Sequence, residues 1–186
     1  AAAEANEIFG TSTLGQLILF TGGAVWTAEG DGNGSLTPSA INLKGLSYEG
    51  SASLRPLEAD DQVIYAEARG RFVRELTYDV GSGGYSGYKG RDLTIWASHL
   101  FEGHTIVDWA FARIPTPTMW VVRSDGALLG FTYIPDHDVW AWHRHDTGDD
   151  SDLFKSVAVV PEGNGDTVDC TVARLVGGST AYYIER

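Results

Sequence analysis

The chain has little of what a chemically active, nucleic-acid-binding or membrane-crossing sequence usually carries. Its 186 residues include one cysteine, Cys170, so no internal disulfide and no CxxC zinc knuckle can form. Only 13 Lys and Arg stand against 25 Asp and Glu, giving a formal charge of −12. No block of sequence supplies the positive footprint that a clamp on phosphates needs, which argues against a grip on nucleic acid. No apolar run reaches the roughly 18 residues of a membrane-crossing helix. The opening AAAEANEIFG has neither an initiator Met nor a basic stretch ahead of an apolar one. That predicts a piece cut from a longer polypeptide rather than a chain led by a signal peptide.

What is present points to strands. Hydrophobic residues make up 43% and aromatics 11%, with 23 glycines against 6 prolines, the balance of short strands joined by tight turns. The expected class is all-β, in one domain over residues 1–186 that is large enough to bury a core. Four segments share a plan of apolar residues, a glycine turn, then more apolar residues. LILFTGGAVWTAE starts at Leu17, QVIYAEARGRFVRELTYD at Gln62, TMWVVRSDGALLGFTY at Thr118, and TVDCTVARLVGGSTAYYIER at Thr167. Their turn glycines, Gly23, Gly70, Gly126 and Gly178, recur at steps of about fifty residues, the length of one four-stranded propeller blade. The spacing predicts a β-propeller-like array of about four antiparallel blades. In the third blade TIVDWAFARI leads, the hairpin follows and VWAWHRHDT ends; the fourth begins at LFKSVAVVPEG and stops after three strands.

Two stretches interrupt the plan. Glu29 to Pro56 reads as a long connector with one or two weak strands around Ile41 to Tyr48. Between Val80 and Gly103 a Gly- and Tyr-rich loop precedes RDLTIWASHLFEG. There Asp92 is expected to cap one short helix over residues 92–101, with Leu93, Trp96, Leu100 and Phe101 on one side and Gly103 at its end.

The most chemical-looking run is VWAWHRHDT. On a strand, His143 and His145 share a face and are candidate metal ligands, with His137 and Asp136 or Asp138 across the preceding turn. Yet no HExxH and no second ligand cluster accompanies them, and an outer strand explains the whole run. On that reading Trp140 and Trp142 pack, while the histidines lie wet on the opposite face. The Gly-rich DGNG and GSGGYSG lack phosphate-loop spacing. Acid pairs such as Asp60-Asp61 and Asp149-Asp150 suit turns, and EGDGNGS lacks the last glutamate of a calcium loop. Cys170 sits inside a strand pattern, as an inert buried thiol would. No catalytic constellation and no cofactor is expected. Trp140, Trp142, Tyr85 and Tyr88 are candidate binding aromatics for carbohydrate or a protein partner.

Several of these runs together, LILFTGGAVW, DDQVIYAEARGRFVRELTYD, RDLTIWASHLFEG, WVVRSDGALLGFTYIPDHDVWAWHRHDT, FKSVAVVPEG and YYIER, give the chain a resemblance. It resembles the propeller-bearing tail tube or nozzle (stabilisation) proteins of podovirus-like bacteriophages and related prophages, from about Ile18 onward. The resemblance implies a non-enzymatic virion component, made in the bacterial cytoplasm and built into the phage tail. It also implies a homo-oligomeric ring in the full-length protein, contacts with other tail proteins, and DNA passing without specific binding or any membrane role. Two alternatives stand beside it: a carbohydrate- or protein-binding β module using exposed Trp and Tyr, and a metal-assisted hydrolase centred on His143 and His145.

Overall fold

The computed structural model describes residues 7–31, 34–80 and 86–186. Nearly all regular structure in the described chain is strand, arranged in four antiparallel sheets in which each strand pairs with its sequence neighbour in that sheet. Two compact units divide it, Ala1–Glu102 and Gly103–Arg186, and each holds two sheets.

In the first unit, β1 (Ile8–Leu14), β2 (Gln16–Thr21), β3 (Val25–Glu29) and β4 (Asn42–Ser47) form one meander. The second contains β5 (Leu57–Ala59), β6 (Gln62–Ala66), β7 (Val73–Val80) and β8 (Ser86–Asp92). Alternation along β2 and β3 puts Ile18, Phe20 and Val25 on one core with Val63, Tyr65 and Leu76 of the other sheet. The rings of Phe20 and Tyr65 meet at 5.2 Å. A hydrogen bond links the leading strands: Ser12 on β1 donates to Glu58 on β5 at 2.8 Å.

The second unit repeats the plan. Here β9 (Ile106–Ala112), β10 (Thr118–Arg123), β11 (Leu128–Ile134) and β12 (Val139–His145) form the third sheet. The fourth has β13 (Leu153–Glu162), β14 (Gly165–Val176) and β15 (Ser179–Glu185). Val122 and Leu128 pack on Val157, Cys170 and Val172 across the two sheets. The leading strands again adjoin: Val157 N–H donates to Asp108 on β9 at 2.9 Å. Asp166 accepts from the N–H groups of Arg113 and Ile114 at 2.6 and 3.1 Å.

All four hairpins expected from the glycine spacing are present, as are the four strands assigned to the third sheet and the three assigned to the fourth. Two strands, β1 and the three-residue β5, carry no strong alternation and were not expected. The Gly- and Tyr-rich insertion supplies β8, although residues 81–85 lie outside the described residues.

The expected helix over residues 92–101 is corrected. Asp92 belongs to β8, and only Ile95–Leu100 turns, as a 3₁₀ segment with non-helical dihedrals at Ala97. The Asp92 carboxylate accepts from both the N–H and the hydroxyl of Thr94, at 2.7 and 2.6 Å. This local Asx turn competes with an α-helical start. Leu93, Ala97 and Phe101 are buried, whereas Trp96, expected on their side, is 87% exposed.

The β10–β11 turn shows how local chemistry fixes a hairpin. Gly126 takes φ +86°, a conformation that side chains with a Cβ rarely adopt. Asp125 beside it accepts from Arg123 Nε at 2.9 Å and from Ala127 N–H at 3.3 Å, and also pairs with a second Arg123 nitrogen. The Arg123 guanidinium holds the Asp125 carboxyl down at about 2. Because Arg123 is buried, Asp125→Asn leaves a desolvated cation short of its counter-charge. The variant should lose about 1–3 kcal/mol in urea unfolding, whereas a loss near zero would show the pair to be solvated.

Candidate functional site

The candidate residues gather on β12, the outer strand of the third sheet. Its register with β11 sets Val139 opposite Ile134, Trp142 opposite Phe131, His143 opposite Gly130 and His145 opposite Leu128. The expected outer strand is therefore present, with the two faces divided as the alternation required. On one face Trp142 packs on Phe131 with centroids 4.6 Å apart. Trp140 lies opposite Tyr133, and both tryptophans are half-buried.

The other face corrects the expectation that the histidines are wet. His143 Nδ1 and His145 Nε2 are 2.7 Å apart, one nitrogen donating and the other accepting, and both rings are half-buried. Trp120 of β10 touches both, with centroids at 6.0 Å to His143 and 4.9 Å to His145. His143 Nε2 also stands 3.4 Å from the Thr132 hydroxyl. The imidazole covers the backbone of Gly130 so closely that a Cβ there would lie 2.1 Å from its Cε1. A glycine inside LLGFTY was the one sequence signal of this approach.

This arrangement is a packed pair rather than an open chelate. Two nitrogens sharing a tetrahedral ion would stand roughly 3.3 Å apart, with the ion between them and further ligands completing the shell. His137 lies in the turn Pro135–His137, exposed and at the opposite end of β12 from His145. Among the described residues no group of three or more His, Cys, Asp or Glu is placed to hold a metal.

A small open cleft of about 80 Å³ lies beside His145, lined by Asp125, Arg144, Asp146 and the turn residues Asp149, Asp150 and Asp152. Several of its carboxylates are engaged locally. Asp149 accepts from the N–H and hydroxyl of Ser151, which hold its carboxyl below the ordinary range, and Asp152 pairs with Arg174.

The remaining candidates lie apart. Tyr88 donates to the Leu14 carbonyl at 2.6 Å and meets the Tyr78 ring at 5.0 Å, so its hydroxyl ties β8 to β1 instead of facing a ligand. Tyr85 falls outside the described residues. Cys170 is buried, and desolvation pushes its thiol up to about 11, so thiolate chemistry is suppressed.

Two measurements probe the histidine pair. Gly130→Ala should destabilise by about 1–3 kcal/mol in wild-type background but by little once His143→Ala removes the ring. Equal costs in both backgrounds would mean that the ring moves aside freely. Burial, and then the neighbouring His145, hold His143 below its ordinary 6.5. In acid the unfolded chain therefore binds the proton first. Stability from the neutral pair is complete above about pH 6.5 and is lost as pH falls through the lower folded value. The melting temperature of the wild type should drop more steeply than that of His143→Gln between about pH 7 and pH 5. Parallel slopes would contradict it.

Compared with known proteins, the chain matches no family model and no curated protein.

Proposed function

We propose that this chain is a structural, non-enzymatic part of a bacteriophage tail, a nozzle or tail-tube subunit whose sheets serve as propeller blades. The observation that carries the reading is the repetition of one packing relation. In each unit a meander stacks its face on the next meander, and a hydrogen bond links the leading strands of the two. Successive propeller blades are related in this way, with leading strands near the axis and last strands outside. The resemblance drawn from the hairpin runs of the sequence supplies the biological setting of the proposal.

Other features agree with an architectural role. Two of the aromatic candidates serve as packing, Trp142 on Phe131 and Tyr88 on Tyr78 and Leu14, and Trp120 packs on the histidines. The net charge of −12 suits a conduit wall past which DNA moves without being held. In such a subunit the blades dock to neighbouring tail proteins and to further copies in a ring.

The test is direct. Gold-labelled antibodies raised against this chain should decorate the tail tip of intact virions. Label on lysates of infected cells but not on purified virions would overturn the reading.

A further inference from the structure

Two connectors carry the chain from one sheet to the next within a unit, residues 48–56 in the first and 146–152 in the second. Each sends a carboxylate to an arginine of the sheet that follows. In the second unit that arginine holds two carboxylates at once: Arg174 on β14 pairs with Asp152 of the connector and, through Nη2 at 2.6 Å, with Glu185 on β15. The first unit differs. Arg74 on β7 pairs with Glu49 of the connector at 2.7 Å, while Glu67, just after β6, stands 3.6 Å from the same nitrogen, beyond a hydrogen bond. Arg74 Nε and Glu67 Oε2 are both buried, and neither has a hydrogen-bond partner among the described residues. A buried donor and a buried acceptor left unmet on neighbouring side chains require a physical reason.

We infer that Arg74 is a two-position latch on the first connector, exchanging between Glu49 and Glu67. In the position seen, the guanidinium fastens the connector. In the other it moves by less than roughly 1 Å onto Glu67, which satisfies the buried oxygen and sets Glu49 free. The two positions are close in free energy because their losses are opposite. Glu49 is 47% exposed, so its carboxylate is readily solvated on release and its ion pair is worth little. Glu67 is 14% exposed, and a charged acceptor left unmet there is costly. What keeps Glu49 within reach is the backbone beyond it. Ser51 N–H donates to the Thr21 carbonyl at 2.8 Å, and Ala52 N–H to that of Ala66 at 2.9 Å. These bonds persist in both positions, so release frees only the stretch before them, which carries the exposed Tyr48. Gly50, at φ +69°, bounds that stretch, since a Cβ there would lie 2.2 Å from the Gly22 carbonyl oxygen. The connector thus keeps its hold on both sheets while its first residues open. Arg174, with both carboxylates already in hand, has no such second position. The latch stands on this geometry and not on the tail reading.

Hydrogen exchange of the Glu49 amide and urea unfolding of the purified chain test the latch. Glu67→Gln removes the competing charge, so Arg74 stays with Glu49 and exchange of the Glu49 amide should slow at least about threefold. Glu49→Gln should leave the unfolding equilibrium within about twofold of the wild type, because Arg74 turns to Glu67. That variant carries the test if Glu67→Gln fails to fold. Where both fold, losing both carboxylates should cost at least about fivefold more than the two single losses multiplied. Asp152→Asn, at the arginine that holds its two carboxylates together, should by contrast cost at least about tenfold alone. Exchange at Glu49 that is unchanged or faster in Glu67→Gln overturns the inference. So does a Glu49→Gln loss as large as that of Asp152→Asn, or single losses that merely multiply in the double variant.

Discussion

Everything in this chain depends on the covering of one meander by the next. A sheet of three or four short strands has an apolar face that it cannot bury by itself, and the hydrophobic effect assigns that face to a neighbour. Ile18, Phe20 and Val25 find Val63, Tyr65 and Leu76, while Val122 and Leu128 find Val157, Cys170 and Val172. The two solutions are alike because the hairpins are alike. A repeated sequence unit meets the same burial problem each time and answers it in the same way.

Polar groups fix how the apolar faces meet. Between the paired sheets carboxylates complete the seam: Glu58 receives the Ser12 hydroxyl, Asp108 the Val157 N–H, and Asp166 the N–H groups of Arg113 and Ile114. Each satisfies a donor at the seam between two sheets, so the seam is specific as well as apolar. Part of the acidic excess is thus employed inside the fold. The same economy holds at Asp125, Asp149 and Asp152, whose carboxylates are occupied by turns and arginines rather than presented as an active site.

The histidine pair illustrates how chemistry-bearing residues become structural. A strand places His143 and His145 on one face, and the register then sets His143 over a glycine and both rings against Trp120. Ligand-like spacing is a by-product of the strand period. What distinguishes packing from coordination here is that an indole and a backbone cover the rings, and no third His, Cys, Asp or Glu among the described residues joins them.

The sequence by itself determined the strand class, the four hairpins and the order of strands in the third and fourth sheets, because alternation and turn glycines act between residues close in the chain. It also determined the outer position of β12 and the two faces of VWAWHRHDT. Tertiary structure decided what local pattern cannot carry. The short strands β1 and β5 exist through pairing and seam contacts more than through propensity. The residues 92–101 form a 3₁₀ turn because β8 claims Asp92 and Thr94 claims its carboxylate. The histidines are half-buried because Trp120 and Gly130, distant in sequence, share their face. Propensity and period fix what an element is. Which partner covers it, and therefore whether a histidine is wet or packed, is settled only when separate elements compete for the same apolar surface.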